Sequence, residues 1–440
     1  MLKGFAAQEH LELRRLSAMS QRTGAPTQSM GEVSGVHLSY VVSQYPATNH
    51  TFILREILTL RKLGFAVDVV SIRPSDRTMA DLSKEEAAEA RLTYAVLAQG
   101  WLRILGISAR TFLQHPSRFL AGLSYAFRLA DWRIRQMPFY AAYFAEAVVA
   151  GDYLIHRGIR HAHTHFASTV TLLMTRVFPI EFSATLHGPD EFNDVAGFHM
   201  AEKVAQARMI ATISRFATSQ TMKASRPRDW DKIRTLYLGV DPGDFVPRPV
   251  PACSDTFRVL CVGRLAAAKA QHILIAAIGR IVALGHSQIR LTLVGDGPER
   301  VALQETAARH QVTPYVTFAG ACNHDRVIEY YTQTHVFAMA SFAEGVPVVL
   351  MEAMAMEIPC VATWVMGIPE LIENEVNGLL VPPADVGALA NALMRLMNDP
   401  SLAEHMGKAA RQKVLADFDL SRNTEKLALA FQELTKDSGN

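Results

Sequence analysis

The chain has 440 residues, 49% hydrophobic and 20% charged, with 44 Lys and Arg against 42 Asp and Glu for a net charge of +2. That length suits two to three domains with sizeable cores, and the apolar content excludes a disordered chain. The near balance of charge excludes a nucleic-acid protein as a whole, and four cysteines (Cys253, Cys261, Cys322, Cys360) without a C-x-x-C exclude a zinc ribbon and suit a reducing compartment.

Residues 1–35 are polar and rich in small residues, as expected of a disordered leader. The opening MLKGFAAQEHLELRR sets acids and bases where a signal peptide needs a continuous apolar core, so no secretion signal is expected. No apolar run reaches 18 residues without a charge, so no spanning helix is expected either.

From Val36 onward, strand-like and helix-like segments alternate. Residues 36–43 read as a strand. Asn49 then caps a helix through TFILREILTLRKLG, whose apolar residues at 53, 54, 57, 58, 60 and 63 share a face and whose stop is Gly64. Strands are expected over 65–71, 161–166, 182–186 and 209–213, each followed by helical pattern. Residues 238–256 carry four prolines (242, 247, 249, 251), a density that opposes helix and central strand and marks a linker. Beyond it, strands over 257–262, 289–294, 315–318, 335–338 and 359–363 alternate with helices over 269–284, 298–309, 324–332 and 347–356. Helices near 384–398, 401–416 and 421–435 close the chain. Interleaved strands and helices mean βαβ units and parallel sheets. The expected fold class is therefore α/β, with two Rossmann-like doubly wound domains facing across a cleft. The first runs over 36–240, a linker over 241–256 and the second over 257–420, with a last helix at 421–440 placed to pack back on the first.

The chemistry concentrates in Ser341-Phe-Ala-Glu344-Gly345-Val346-Pro347-Val-Val-Leu-Met-Glu352. Pro347 suits a first helical position, because its ring presets φ and its missing N–H would be unpaired there. The loop through Gly345 and Val346 thus leads into a helix N-terminus, which favours an anion. Glu352 lies about 7.5 Å further along that helix. Two carboxylates flanking an anion site suit a phosphate held between hydroxyl-rich groups, as in a nucleotide-sugar. A loop-ending Glu344 and a solvated Glu352 remain the plainer alternative. A second element, Cys261-Val-Gly263-Arg264-Leu-Ala-Ala-Ala-Lys269, follows a strand, where open α/β sheets bind ligands. Arg264 can fork two phosphate oxygens and Lys269 adds a point charge, although an ordinary surface pair would read the same. A third, Leu293-Val-Gly295-Asp-Gly297-Pro298, carries only G-x-G. A dinucleotide fingerprint would need its third glycine at Arg300, so a NAD enzyme loses its main support.

With VTFAG (316–320), IPCVAT (358–363), GIPELI (367–372) and NGLLVPP (377–383), the spacing Arg264…Lys269…Glu344-x7-Glu352 resembles glycosyltransferase family 4, the retaining nucleotide-sugar transferases of GT-B fold. In the first domain, Tyr45-Pro46, Thr51-Phe-Ile-Leu-Arg55-Glu56, His163-Thr-His165-Phe-Ala, Thr185-Leu-His187-Gly188-Pro-Asp190, Thr212-Ile-Ser214 and Gly239-Val-Asp241 resemble the branch that builds bacterial exopolysaccharides of the colanic acid and amylovoran type. The resemblance implies that Arg264 and Lys269, beside Gly263, neutralise the donor diphosphate. It implies that Glu344 meets donor-sugar hydroxyls, that the loop Gly345, Val346, Pro347 lines sugar and phosphate, and that Glu352 holds the ribose. His187 would stand beside the sugar, with His165 and Asp190 on the acceptor side. The implied partners are a UDP- or GDP-sugar donor and a lipid-linked or oligosaccharide acceptor, with no nucleic acid, at the inner face of the plasma membrane or in the cytoplasm. Three departures stand out: Ala270 where glycine is common, Asn49-His50 in place of Ser-Glu, and Pro347 in place of glycine.

No cofactor is expected, and no metal, since no D-x-D metal site stands in a donor loop. Arg, Lys and a helix terminus would stabilise the leaving diphosphate instead. His161, His163 and His165 alternate along a strand and share one face, but no carboxylate or cysteine pattern accompanies them as zinc would require. Over 100–135, six arginines and interleaved aromatics stand against one acid, Asp131. That composition fits a peripheral membrane contact, or a helical hairpin packed on the first domain. A nucleotide-sugar epimerase of the same architecture and an inactive nucleotide-sugar-binding module remain as alternatives.

Overall fold

The computed structural model describes residues 35–47, 50–247 and 256–437. The leader (apart from Gly35), the capping Asn49, Cys253 and the proline-rich core of the linker lie outside the described residues.

The first sheet has seven strands: β1 (His37–Gln44), β2 (Ala66–Arg73), β3 (Tyr94–Ala95), β4 (His161–His165), β5 (Glu181–Leu186), β6 (Met209–Thr212) and β7 (Ile233–Thr235). They lie in the order β3-β2-β1-β4-β5-β6-β7, every neighbouring pair parallel. β1 is central and covered on both faces, which is why it reads as a near-continuous apolar run. The second sheet has six: β8 (Phe257–Val262), β9 (Ile289–Val294), β10 (Val316–Gly320), β11 (Val336–Met339), β12 (Cys360–Thr363) and β13 (Leu379–Val381). Their order is β10-β9-β8-β11-β12-β13, again all parallel. In both sheets the chain reverses its direction of growth beside the first strand, between β1 and β4 and between β8 and β11. Such a switch point opens a crevice at the strands' carboxyl ends.

The helix Thr51–Lys62 buries Ile53, Leu54, Ile57 and Leu60 and ends as expected at Gly64. There φ is 88°, and the Phe65 N–H donates to the Leu60 carbonyl at 3.1 Å. Strands β3, β7 and β13, of two or three residues, gave no sequence signal, because a period of two needs a longer run. The helix expected at 298 begins at Arg300. Pro347 is not the first helical residue; it is the cap of Val348–Ala355, with ψ of 117°. A cap needs an extended ψ while its carbonyl accepts the first helical bond, here from the Met351 N–H at 3.3 Å.

The last helix, Leu420–Asp437, returns to the first half and packs on Thr51–Lys62. Its Phe431 meets the rings of Tyr40, Phe65 and His163. The crossing point is pinned by Val240, which donates to the Phe418 carbonyl and accepts from the Leu420 N–H, both at 3.0 Å. Phe245, within the expected linker, is buried against His324 and Tyr331 of the second half. The arginine-rich segment forms two helices, Trp101–Gln114 and Pro116–Leu129. One face packs inward through Phe119 on Phe144, while Trp101, Leu102, Leu105, Leu113 and Ile134 stay exposed.

Candidate active site

The two loops that leave the second switch point meet. After β8, Gly263 is followed by a short helical turn over Ala267–Lys269; after β11 comes Ser341–Val346. The Phe342 N–H donates to the Ala268 carbonyl at 2.8 Å and fastens one loop to the other. Lys269 Nζ thereby reaches both oxygens of Glu344, at 2.7 and 2.9 Å, and the Ser341 hydroxyl donates to Glu344 Oε1 at 2.7 Å. Glu344 is buried. Its charge is tolerated there because a cation and a hydroxyl answer it. Arg264 is exposed and has no ion pair among the described residues, so its guanidinium is the cation at this strand end that is free to meet an anion. Cys261 lies beneath the pair, and burial pushes its thiol up to about 12, which leaves it inert.

The G-x-G of Gly295 and Gly297 serves packing. A Cβ on Gly295 would lie 2.1 Å from the Gly263 carbonyl oxygen, and one on Gly297 2.3 Å from the Leu265 carbonyl oxygen. These glycines let two loops touch. Glu352, on Val348–Ala355, accepts from the Tyr331 hydroxyl at 2.9 Å, and burial pushes its carboxyl up to about 7.

On the first domain, His187 follows β5 and His165 ends β4, next to the first switch point. His165 Nδ1 and His187 Nε2 are 2.7 Å apart. Phe166 stacks on the His187 ring at 4.5 Å, and Phe52 lies at 5.0 Å. Glu191 holds the turn after His187, accepting from the N–H groups of His187 (2.6 Å) and Gly188 (3.0 Å). Burial raises its carboxyl to about 7. His165 is wholly buried and lies behind His187; Asp190 is exposed at the start of the short helix Pro189–Asn193.

The two domains touch at these loops. A Cβ on Gly345 would lie 2.0 Å from the His187 carbonyl oxygen, and one on Gly367 2.0 Å from the Gly345 carbonyl oxygen. Gly345 is thus pressed between His187 and the GIPELI segment. Glu370 of that segment crosses the cleft, where it accepts from the N–H groups of Arg215 (2.9 Å) and Phe216 (3.0 Å) and from the Tyr237 hydroxyl (2.7 Å). Arg215 and Phe216 open the helix Arg215–Lys223, whose positive end a carboxylate suits.

Glu56, His163 and His165 offer ligand atoms within 4.8 Å of one another. Both nitrogens of His163 are already engaged, by the Ser183 (2.8 Å) and Thr185 (2.9 Å) hydroxyls. Two remaining ligands fall short of the three or four that zinc takes, so the donor set does not fit zinc. The sequence holds two D-x-D triplets, at 229–231 and 417–419, and both are engaged elsewhere: Asp229 pairs with Lys232 at 3.2 Å, Asp417 pairs with Lys413, and Asp419 accepts from the Arg422 N–H.

Gly263, Arg264, Lys269, Glu344, Gly345, Val346 and Pro347 lie on the two loops that follow β8 and β11, and Gly345 brings His187 to them. The sequence did not assign roles to Tyr331, Ser341, Glu191 or Glu370. Ser341 and Glu370 sit inside quoted motifs and Glu191 stands three residues after Gly188 at capping-box spacing, so these three left a trace; Tyr331 left none.

Residues 247–413 match the family model described as Glycosyl transferases group 1. This segment is a glycosyltransferase group 1 domain. It contains every residue of the donor-side cluster. The chain is 27% identical to the putative colanic acid biosynthesis glycosyltransferase WcaL of Escherichia coli K12 over 90% of this chain and all of that one. It is 24% identical to the amylovoran biosynthesis glycosyltransferase AmsK of Erwinia amylovora over 87% and 96%. The domain together with these relatives supports a transferase enzyme. Sucrose-phosphate synthase from Thermosynechococcus elongatus superposes with a TM-score of 0.69 at 21% identity, covering 92% of this chain and all of that one. HepE of Anabaena, solved with UDP-glucose, gives 0.68 at 17% over 91% and 100%. These likenesses establish the fold as GT-B.

Proposed function

We propose that the chain is a retaining glycosyltransferase of family 4. It would move a sugar from a UDP- or GDP-linked donor to a hydroxyl of a lipid-linked or oligosaccharide acceptor, in exopolysaccharide or other surface-glycan synthesis. The observation that carries this reading is the Lys269–Glu344 pair with Arg264 free beside it, closed off by His187 through Gly345. A cationic strand end facing a histidine suits a diphosphate leaving from a sugar carbon. In this reading Arg264 and Lys269 neutralise the leaving diphosphate, Glu344 fixes sugar hydroxyls and Glu352 takes the ribose. Retention proceeds by front-face attack within an ion pair, without metal. The names of the relatives WcaL and AmsK support the glycan class, and the UDP-glucose in HepE supports the donor class.

Calorimetric titration with UDP, GDP and ADP sugars, paired with transfer assays on lipid-linked and oligosaccharide acceptors, tests the reading. Micromolar to millimolar binding of one nucleotide class, with turnover that survives chelator, is expected. Binding without turnover on any acceptor would favour the inactive module, and loss of activity to chelator would remove metal independence.

A membrane contact belongs to the same proposal. Trp101 (69% exposed), Leu113 (78%) and Ile134 (84%) stand out from a segment that also carries six arginines. Exposed apolar side chains beside cations suit an anionic lipid surface. Flotation with phosphatidylglycerol vesicles that is abolished by Trp101→Glu with Leu102→Glu is the expected result; flotation unchanged by them would remove the contact.

A further inference from the structure

A buried chain of polar groups runs from the middle of the first sheet to the cleft. The Tyr40 hydroxyl on β1 donates to Glu56 Oε1 at 2.6 Å. That oxygen lies 3.3 Å from His165 Nε2 on β4, and His165 Nδ1 lies 2.7 Å from His187 Nε2. The rings of Tyr40 and His165 are stacked at 5.3 Å, so His165 cannot swing away. His163 faces the chain from the same strand with both nitrogens engaged by Ser183 and Thr185, and the Phe166 ring that stacks on His187 also stacks on His50. Two ring nitrogens of this chain are buried without a hydrogen-bond partner: His187 Nδ1, and His165 Nε2, which has only the Glu56 oxygen beside it at 3.3 Å.

The order of donors along this chain follows from one carboxylate. Glu56 accepts from Tyr40, so the atom it turns to His165 is an oxygen with lone pairs. A neutral imidazole has one N–H and one lone pair. With its N–H on Nδ1, His165 would aim a lone pair at a carboxylate oxygen 3.3 Å away. With its N–H on Nε2, the contact is attractive. Nδ1 of His165 is then an acceptor, the 2.7 Å contact is filled by an N–H on His187 Nε2, and His187 Nδ1 carries the lone pair. Burial together with the neighbouring His165 and His50 pushes His187 well below the usual histidine range, so its ring is neutral at pH 7.

We propose that Glu56 and His165 are positioning residues that hold His187 in the tautomer with a bare Nδ1, so that it accepts a hydrogen bond from a substrate hydroxyl. The role of the hydroxyl rests on the glycosyltransferase reading; the tautomer does not. The arrangement uses the same logic by which a carboxylate behind an imidazole selects its tautomer in other enzymes. It also explains why a glutamate is buried in the first helix, where a charge is otherwise a cost.

Nitrogen-detected NMR of the full chain labelled with 15N-histidine reads each tautomer directly. His187 is expected protonated on Nε2 and bare on Nδ1, and His165 likewise. Glu56→Gln can turn an amide N–H toward His165, so it should reverse or mix both tautomers. It should also lower kcat by about 10- to 100-fold with donor affinity within twofold. Glu56→Asp should restore the wild-type tautomers. A proton on His187 Nδ1 in the wild type, or tautomers unchanged by Glu56→Gln, overturns the proposal. Should Glu56→Gln fail to fold, the wild-type spectrum alone decides: a bare Nδ1 on both His165 and His187 upholds the proposal, and a proton on Nδ1 of either overturns it. A chain that transfers no sugar yet shows these tautomers sinks the transferase reading and upholds the assignment.

Discussion

Gly345 rests against the carbonyl of His187, so closely that a Cβ there would stand 2.0 Å from the oxygen. Backbone meets backbone between the two domains, and neither side can yield by rotating a side chain. Gly345→Ala should therefore hold the domains apart and misplace His187 against the donor loops. A displacement of about 1 Å costs roughly 100-fold in rate. Steady-state kinetics should show that loss, while far-UV circular dichroism stays native because each sheet has its own core. Activity within threefold of wild type would show that the contact is dispensable.

Arg264 and Lys269 should separate when each is replaced by alanine. Arg264 is exposed and unpaired, so its removal should leave thermal stability within about 0.5 kcal/mol yet cut turnover by about 100-fold. Lys269→Ala should cut turnover and also strand the buried Glu344, at a cost of about 3 kcal/mol. Denaturant melts of both variants check the contrast. Equal stability losses would mean that Lys269 does not neutralise Glu344.

Glu352 gives a pH signature. Its carboxyl is raised from 4.5 to about 7 in the folded chain, chiefly by burial. The native state thus holds a proton that the unfolded chain releases earlier. This stabilisation is fully present below about pH 4.5 and is lost as pH rises through about 7. Glu352→Gln stays neutral throughout, so it should lose less stability than wild type between pH 5 and 8, by at most roughly 1.4 kcal/mol per pKa unit. Melts at both pH values decide it, and parallel curves would contradict the raised carboxyl. Nucleotide binding near pH 6.5 should also release a proton if ribose hydroxyls bond the ionised carboxylate, which calorimetry in two buffers would read.

Ala270 caps the helix Gln271–Ala283 with φ of 48°, a left-handed conformation that costs a residue with a Cβ about 1–2 kcal/mol. Here lies the physical content of one departure from the glycosyltransferase pattern, in which glycine is common at this position. Ala270→Gly should stabilise the chain by about 0.5–1 kcal/mol, after glycine's greater unfolded freedom is subtracted. A lower melting temperature would show that the turn relaxes around alanine without strain.

Glu370 should act as a clasp. Glu370→Ala removes the acceptor for two helix N–H groups and the Tyr237 hydroxyl at once. A loss of about 1–2 kcal/mol is expected from the missing cap. Small-angle scattering should report a larger radius of gyration as the domains part, and an unchanged radius would confine Glu370 to a local role.

The sequence by itself determined the alternation of strands and helices, the α/β class and the cluster of residues after β8 and β11. These follow from periodicity and from the rule that ligands gather at strand carboxyl ends, both local properties. Asn323, Asp385 and Ser214 cap their helices through side chains for the same local reason. Only the tertiary structure decided who faces whom. Lys269 and Glu344 pair across 75 residues, and Glu370 reaches Arg215 across 155. His165 was legible as one of three histidines on a strand face, but not as a buried link between Glu56 and His187. Residues far apart in the chain meet through sheet order and loop length, and a pattern that repeats every two or 3.6 residues carries no record of either.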